Sequence, residues 1–153
     1  MQWTEGGYTV DTSASRIDHG VVIQFLRTSY WAQERPSSIV TESWKNSTVQ
    51  FGLYGATGEM VGGCRIISDS AAFAWLGDVF VAPEHQGHGL GKFLMRCVVD
   101  HPSVKGVEQV LLGTLDAQGL YRQFGWQAHD MPERLMVRRS APIDISHRGH
   151  ADD

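Results

Sequence analysis

The sequence predicts a mixed α/β (α+β) fold, in which a central sheet of about six to seven strands carries helices on both faces. Two observations predict this architecture. Apolar and β-branched runs joined by short turns come early in the chain, as expected for antiparallel strands. A glycine-rich loop and a helix with one apolar stripe then lead to a further apolar run, which suits a buried strand and allows parallel pairing.

The early elements follow from caps, turns and periodicity. Asp18 can cap a helix, because Val21, Val22, Phe25 and Leu26 follow it at helical spacing. The turn-rich residues 55–58 join two strands into a hairpin. The predicted elements are, in order, a strand over 8–13, the helix after Asp18, a helix from Pro36 to about Asn46, and strands over 49–54, 60–68 and 73–81.

The later elements begin with the apolar stripe. Leu90, Phe93, Leu94, Cys97 and Val98 recur at i, i+3, i+4, i+7 and i+8, which predicts a helix directly after the glycines. The predicted elements that follow are a strand over 107–114, a short helix with Asp116 as N-cap and Gly125 as its left-handed C-terminal residue, and two strands over 126–128 and 134–139.

Length and charge limit the organisation and the partners. A chain of 153 residues suits one compact domain, which we place at residues 1–142, with a flexible tail over 143–153. The net charge is −4 and the basic residues do not cluster, so we expect neither nucleic acid nor a membrane surface as the main partner. We find no bilayer-length apolar run and no secretory signal pattern, and therefore expect a cytoplasmic protein.

The loop before the stripe carries the main functional signal. Glycines at 87, 89 and 91 let the backbone approach an anion, and the positive end of the next helix points to the same place. A P-loop would need Ser or Thr after Gly91-Lys92, where the chain has Phe93. The glycine spacing also differs from the G-x-G-x-x-G dinucleotide pattern.

Gln86, Gly89 and Gly91 match the pattern Q/R-x-x-G-x-G/A, and the chain therefore resembles the GNAT superfamily of N-acetyltransferases. Residues 79–85 resemble the strand and Pro-containing turn that precede this loop in the family. Residues 111–114 and 116–126 resemble the next strand and the second cofactor segment, with its Tyr and its Phe-Gly pair. The likeness covers residues 8–139. Gln86 departs from the commoner arginine, which removes a charge from the loop.

The resemblance implies acetyl-CoA as acyl donor. Backbone groups of Phe80 and Val81 would then bind the pantetheine arm and the thioester oxygen, where an N–H group can stabilise an oxyanion. The cofactor-binding residues implied by the resemblance are Phe80, Val81, Gln86, Gly87, His88, Gly89, Leu90, Gly91, Lys92, Thr114, Gly119, Tyr121 and Phe124.

The resemblance also suggests catalytic and acceptor residues. Tyr121 is the candidate general acid, since a hydroxyl can protonate the departing thiolate. Asp78 and Asp69 are alternative candidates for the base, and a chain of water molecules is a third alternative. The candidates for the acceptor pocket are Tyr30, Trp31 and Arg65, although ordinary aromatic packing explains the first two equally well.

Two patterns argue against other chemistries. His85 and His88 flank the loop, but no further ligands complete a zinc site, so we expect no metal. Cys64 and Cys97 lie within apolar patterns, which favours two reduced core cysteines, although a disulfide between them stays open. Because Cys97 lies on the apolar stripe, a covalent cysteine intermediate is disfavoured.

The function predicted from the sequence is transfer of an acetyl group from acetyl-CoA to a primary amine, preferentially that of a small molecule. The amine would attack directly within a ternary complex. The alternative is an acyl-CoA-binding or sensing module that keeps the fold without turnover. Members of the family often dimerise, so a homodimer is also expected as an alternative to a monomer.

Overall fold

A computed structural model describes residues 1–140, and the tail predicted over 143–153 lies outside them. These residues form one mixed sheet in the order β1-β2-β3-β4-β5-β6. Neighbouring strands from β1 to β5 are antiparallel, and β6 is parallel to β5. The strands are β1 (Gln2–Glu5), β2 (Tyr8–Asp11), β3 (Val49–Tyr54), β4 (Met60–Ser68), β5 (Phe73–Val81) and β6 (Gln109–Leu111).

Helices accompany the sheet, as predicted. Asp18 caps the first, since its carboxylate accepts a hydrogen bond of 3.1 Å from the Val21 N–H. No helix within residues 1–140 has the length and apolar character needed to cross a membrane. The helices are α1 (His19–Leu26), α2 (Ser37–Lys45), α3 (Leu90–Asp100), α4 (Pro102–Lys105) and α5 (Gln118–Arg122), with 3-10 turns at Ala14–Arg16, Pro83–His85 and Pro132–Arg134.

The sheet separates two apolar clusters. The α3 cluster contains Leu53 and Val61 from the sheet together with the stripe of α3. The α1 cluster contains their neighbours Tyr54 and Met60 together with buried residues of α1 and α2. Because successive strand residues point to opposite faces, the two clusters lie on opposite sides of the sheet. Helices therefore cover both faces, which confirms the predicted fold class.

The two strands predicted over 126–128 and 134–139 are absent from the described residues. Trp126 instead packs against the α3 cluster, and its indole Nε1 donates a hydrogen bond of 2.9 Å to the Val110 carbonyl. That bond occupies an acceptor of β6 that a further strand could have used. Residues 134–139 are exposed, and Arg134 ends a 3-10 turn. This segment therefore buries no apolar face that would favour a strand.

Three smaller predictions also need correction. The N-cap of α5 is Ala117, whose N–H donates to Thr114 Oγ1 at 3.0 Å, so the N-cap prediction for Asp116 is wrong. β6 is shorter than the predicted run over 107–114, because its pairing with β5 stops at Leu111. β1 was not predicted, and it forms because two glycines with positive φ, Gly6 and Gly7, fold residues 2–11 into a hairpin.

A β-bulge in β5 creates the opening that matters for function. Arg65 of β4 pairs with Gly77, while Gly63 pairs with Phe80, so two residues of β5 oppose one of β4. Asp78 lies in this bulge with φ = +54°, a left-handed conformation that Asp tolerates better than most residues. Beyond Trp75 and Leu111, β5 and β6 no longer pair within the described part of the chain. The two segments diverge, and a cleft lies between them.

Candidate active site

The cleft has a volume of about 940 Å³ and runs from the bulge of β5 to the start of α3. Residues 76–81 of β5 form one wall, and residues 112–117 form the opposite wall. Most of the predicted site residues lie together here. Those that line the cleft are Tyr30, Trp31, Arg65, Asp78, Phe80, Val81, Gln86, Gly87, Gly89, Leu90, Gly91, Lys92, Thr114 and Tyr121.

Four predicted residues do not line the cleft. His88 lies in the glycine loop, with its ring Nδ1 3.1 Å from the His85 carbonyl oxygen. Gly119 and Phe124 lie on or next to α5, and Phe124 packs against the α3 cluster. Asp69 lies in the exposed turn before β5. The structure therefore brings the glycine loop and Tyr121 together but leaves these residues outside the cleft wall.

The geometry of the glycine loop suits an anion. Gly87 and Gly89 have φ of +84° and +73°, a conformation that favours glycine, and no heavy atom lies near the position a Cβ would take. Gly89 is also the N-cap of α3, which runs for 11 residues. Unpaired N–H groups and the positive end of the helix dipole therefore face the open loop. Lys92 adds a full positive charge to the cleft wall.

Gln86 fixes the loop to the end of β5. Its side-chain Nε2 donates a hydrogen bond of 2.9 Å to the backbone carbonyl of Val81. The Ala82 N–H donates at 2.7 Å to the Val61 carbonyl, which ties the same corner to β4. The strand end and the loop are thus held in one fixed relationship, even though glutamine supplies no charge.

Tyr121 reaches the cleft from α5. It is 7% exposed, and its ring stands edge-on to Trp126 at 6.0 Å between centroids. Burial raises the pKa of the Tyr121 phenol well above its ordinary value, with smaller contributions from Cys64, Tyr30 and Asp116. The phenol therefore stays protonated at neutral pH, as a proton donor must.

Asp78 is the centre of a buried polar cluster. Its Oδ2 accepts hydrogen bonds from Arg65 Nε at 2.8 Å, Arg35 Nη1 at 2.9 Å and Trp44 Nε1 at 3.2 Å. Its Oδ1 accepts from Trp31 Nε1 at 3.1 Å and from the same Arg35 nitrogen at 3.1 Å. Both oxygens are thus occupied by donors from α2, β4 and the segment between α1 and α2.

These contacts do not support the base prediction for Asp78. Burial raises the pKa of its carboxyl, but the hydrogen bonds and charges of Arg65 and Arg35 outweigh burial and lower it overall. A carboxylate with a lowered pKa is a weak base, and this one has no oxygen directed only to the cleft.

Asp69 is equally unsuited to act as base. Its Oδ1 accepts hydrogen bonds from the N–H groups of Ala71, Ala72 and Phe73 at 2.8 to 3.0 Å, and these lower the pKa of its carboxyl. Asp69 therefore organises the turn into β5.

Aromatic side chains line the end of the cleft near Asp78. Trp31 and Tyr30 pack edge to face with ring centroids 5.1 Å apart. The Tyr30 hydroxyl accepts a hydrogen bond of 2.8 Å from the Leu115 N–H, which joins the two sides of the cleft. Trp75 lies against Gly77 and Gly113, where an added Cβ would come within 3.4 and 3.8 Å of its ring.

Sequence reasoning missed three residues of this site: Arg35, Trp44 and Trp75. Arg35 lies 43 positions before Asp78, and nothing local connects the two. The available signal was a charged residue in each of two adjacent apolar strands, Arg65 and Asp78, which must be paired if buried. Trp44 is buried in α2, and no local pattern indicates that its indole N–H donates a hydrogen bond to the Asp78 carboxylate.

Among residues 1–140, the two cysteines are unsuited to act as nucleophiles, and the histidines form no metal site. Cys64 and Cys97 are both buried and both free thiols. Burial raises the pKa of the Cys97 thiol to about 12, and burial also raises the pKa of the Cys64 thiol well above its ordinary value. Within residues 1–140, no three His, Cys, Asp or Glu side chains are arranged to hold a metal ion.

Comparison with known proteins identifies the fold. Residues 48–128 match the family model described as the acetyltransferase (GNAT) domain, a range that contains β3 to α5 and the glycine loop. A crystal structure from Xanthomonas campestris pv. campestris, described as belonging to the GNAT family, is 38% identical. The match covers 89% of this chain and 95% of that chain, with a TM-score of 0.82.

More distant relatives agree. A Gibberella zeae protein named as an acetyltransferase is 28% identical over an alignment of 143 positions that covers 79% of this chain and 79% of that protein. The glucosamine-6-phosphate N-acetyltransferase of Arabidopsis thaliana is 15% identical, with a TM-score of 0.62 over 90% of this chain and 99% of that chain. At that identity the likeness concerns the fold alone.

Proposed function

Because the chain belongs to the GNAT family of acetyltransferases, we propose that it transfers an acetyl group from acetyl-CoA to the primary amine of a small molecule. The observation that carries the proposal is the open glycine loop at the N-terminus of α3, continuous with the cleft between β5 and residues 112–117. The loop suits a pyrophosphate, and the cleft suits the long arm of the cofactor.

The residues present fit acetyl-CoA. The N–H groups around Gly87 and Gly89 would hold the phosphates, and Lys92 would add its charge. On its β6 side, the stretch of β5 beyond Trp75 has no partner strand among the described residues, so backbone groups of Phe80 and Val81 on that side are available to the pantetheine arm. Acetyl-CoA supplies the acetyl group as a thioester when bound.

The chain's own groups contribute positioning and proton transfer. Backbone N–H groups of β5 bind the acyl oxygen and stabilise the negative charge that develops there. Tyr121, kept protonated by burial, donates a proton to the departing sulfur. The buried thiols of Cys64 and Cys97 take no part, so the amine attacks directly in a ternary complex. The nitrogen loses its proton to water, because Asp78 and Asp69 are held by hydrogen-bond donors that lower the pKa of their carboxyls.

A thiol-release assay tests the proposal. The protein is incubated with acetyl-CoA and separate polyamines, arylalkylamines, aminoglycosides and amino acids, and the products are identified by mass spectrometry. We expect thiol release to match the amount of N-acetylated product. Calorimetry with acetyl-CoA runs in parallel. Cofactor binding without transfer to any amine would favour the acyl-CoA-binding module instead, and absence of cofactor binding would contradict both.

A further inference from the structure

The cluster around Asp78 contains more positive than negative charge. Arg35 and Arg65 both form ion pairs with the Asp78 carboxylate, at 2.9 and 2.8 Å. One carboxylate neutralises one guanidinium, so the cluster keeps a net charge of +1. Among residues 1–140, neither arginine forms an ion pair with any other carboxylate.

This excess charge is partly shielded from water. The exposed fractions of the side chains are 2% for Asp78, 13% for Arg65 and 25% for Arg35. A charge removed from water is costly unless it is paired, and a mainly buried cation at a cleft wall therefore favours an anion from solution. The whole cleft has the same bias: Arg35, Arg65 and Lys92 line it against Asp78 and Asp116, although the protein carries a net charge of −4.

The arginines keep donors for such an anion. Arg65 uses Nε for Asp78 and Nη1 for a long 3.4 Å contact with Ser47 Oγ. Arg35 uses Nη1 for Asp78. Within the described chain, Arg65 Nη2 and Arg35 Nε and Nη2 form no hydrogen bond. A planar guanidinium with two such donors matches the paired oxygens of a carboxylate or a phosphate.

The surroundings of the pair suit an acceptor rather than the cofactor phosphates. Arg65 lies beside Gly77, where the bulge of β5 begins, whereas the glycine loop starts after the last residue of this strand, Val81. Trp31 and Trp75 line the cleft here, and these residues are 40% and 38% exposed. These rings lower the local polarity, which strengthens an ion pair, and they can cover the carbon skeleton of a ligand.

We propose that the acceptor is an amine that also bears a carboxylate or a phosphate, and that Arg35 and Arg65 bind this anionic group. This inference rests on the proposed function, because it names the substrate class of the same cleft. The two guanidinium groups hold the acid, and the amine is left to point along β5 toward the acyl group. Simple polyamines, which carry only positive charge, are disfavoured in this site.

Matched pairs of amines test the proposal. Glycine, β-alanine and phenylalanine are compared with their amides, and aminomethylphosphonate tests the phosphorus-bearing class. Binding to the CoA-saturated protein is measured by calorimetry, and kcat/KM is measured by thiol release. We expect at least one acid to exceed its amide about tenfold or more in both measurements. A preference for the phosphonate over the carboxylates would identify the phosphate class.

Variants connect the preference to the arginines. Arg35→Gln should remove most of the preference for acids, mainly through KM, while affinity for CoA stays unchanged. Arg35→Lys should restore part of it, because it keeps the charge but not the planar fork. Arg27→Gln is the matched control, because Arg27 is an exposed arginine that donates a hydrogen bond to Ser37. Should Arg35→Gln fail to fold, the comparison of acids with amides on the wild-type protein still decides whether the site prefers amines that bear an anionic group.

The two proposals can fail separately. Acids and amides that bind and react equally would overturn the anion site while the transferase function stands. Tighter binding of acids without thiol release from any amine would support the anion site and overturn the proposed transfer.

Discussion

Arg65 and Asp78 form a 2.8 Å ion pair across two strands whose register does not align them. In the β4–β5 ladder Arg65 pairs with Gly77, and the guanidinium reaches Asp78 only because the bulge inserts an extra residue into β5. The same bulge places Asp78 and Phe80 on the α1 side of the sheet, whereas Ala74 and Leu76 face the α3 side. One inserted residue thus both pairs a buried charge and opens the cleft.

Asp78→Asn should destabilise the protein by about 3–5 kcal/mol at neutral pH, because it leaves two partly buried arginines without a counter-charge. The folded-state pKa of Asp78 is lowered. Its contribution to the free energy of unfolding is therefore complete above the unfolded-state pKa of about 3.9, and it is lost as the pH falls through the folded-state pKa. Urea unfolding at a series of pH values should show that the stability difference between the wild-type protein and Asp78→Asn shrinks below about pH 4. Asp130→Asn, at an 88% exposed side chain, should change stability little at any pH. A constant small effect of Asp78→Asn would contradict the prediction.

Gly89→Glu should weaken coenzyme A binding by about a hundredfold or more, because it places a negative charge in the loop that we propose holds the phosphates. Gly58→Glu is a close control. Gly58 has φ = +86°, close to the +73° of Gly89, and it lies in the turn between β3 and β4, away from the cleft. Both variants share the strain of a left-handed non-glycine residue, about 1–2 kcal/mol. Calorimetry that gives equal affinities for the two would rule out the loop as the phosphate site.

Tyr121→Phe should lower kcat by about tenfold to a hundredfold and leave the Kd for acetyl-CoA nearly unchanged, because it removes only the proton donor. Tyr8→Phe serves as control: its hydroxyl lies 3.0 Å from His85 Nδ1, outside the cleft wall. Steady-state kinetics with a reactive amine measures both. A Tyr121→Phe enzyme with wild-type kcat would exclude Tyr121 as general acid.

Cys97→Ala and Cys64→Ala should keep turnover near the wild-type value per folded molecule, with a stability loss of about 1–2 kcal/mol each. The reason is that buried thiols with raised pKa values supply too little thiolate to act as nucleophiles. Intact-mass spectrometry of the wild-type protein mixed with acetyl-CoA should detect no acetylated enzyme. An acetyl adduct lost in Cys97→Ala would instead indicate a covalent route.

Local signals predicted the elements that local physics controls. The bounds of β3, β4 and β5 match the predicted runs, and the Asp18 cap and the left-handed Gly125 follow from short-range chemistry. The glycine loop was recognisable because its residues are contiguous.

Long-range relationships were not predictable in the same way. The donors around Asp78 come from positions 31, 35, 44 and 65, and only the folded sheet brings them together. The bulge that decides the face of Asp78 could not be located from alternation alone, because the flanking residues are apolar on both sides. The prediction of strands after residue 125 failed for a related reason, because Trp126 forms a long-range hydrogen bond with the Val110 carbonyl.

The division of the apolar residues into an α1 cluster and an α3 cluster has an evolutionary consequence. Under the proposed function, substitutions in α1, α2 and the segment between them would change the end of the cleft near Asp78, while the apolar packing between α3 and the sheet would be kept. A descendant of this protein could then accept a different amine and still use the same acyl donor.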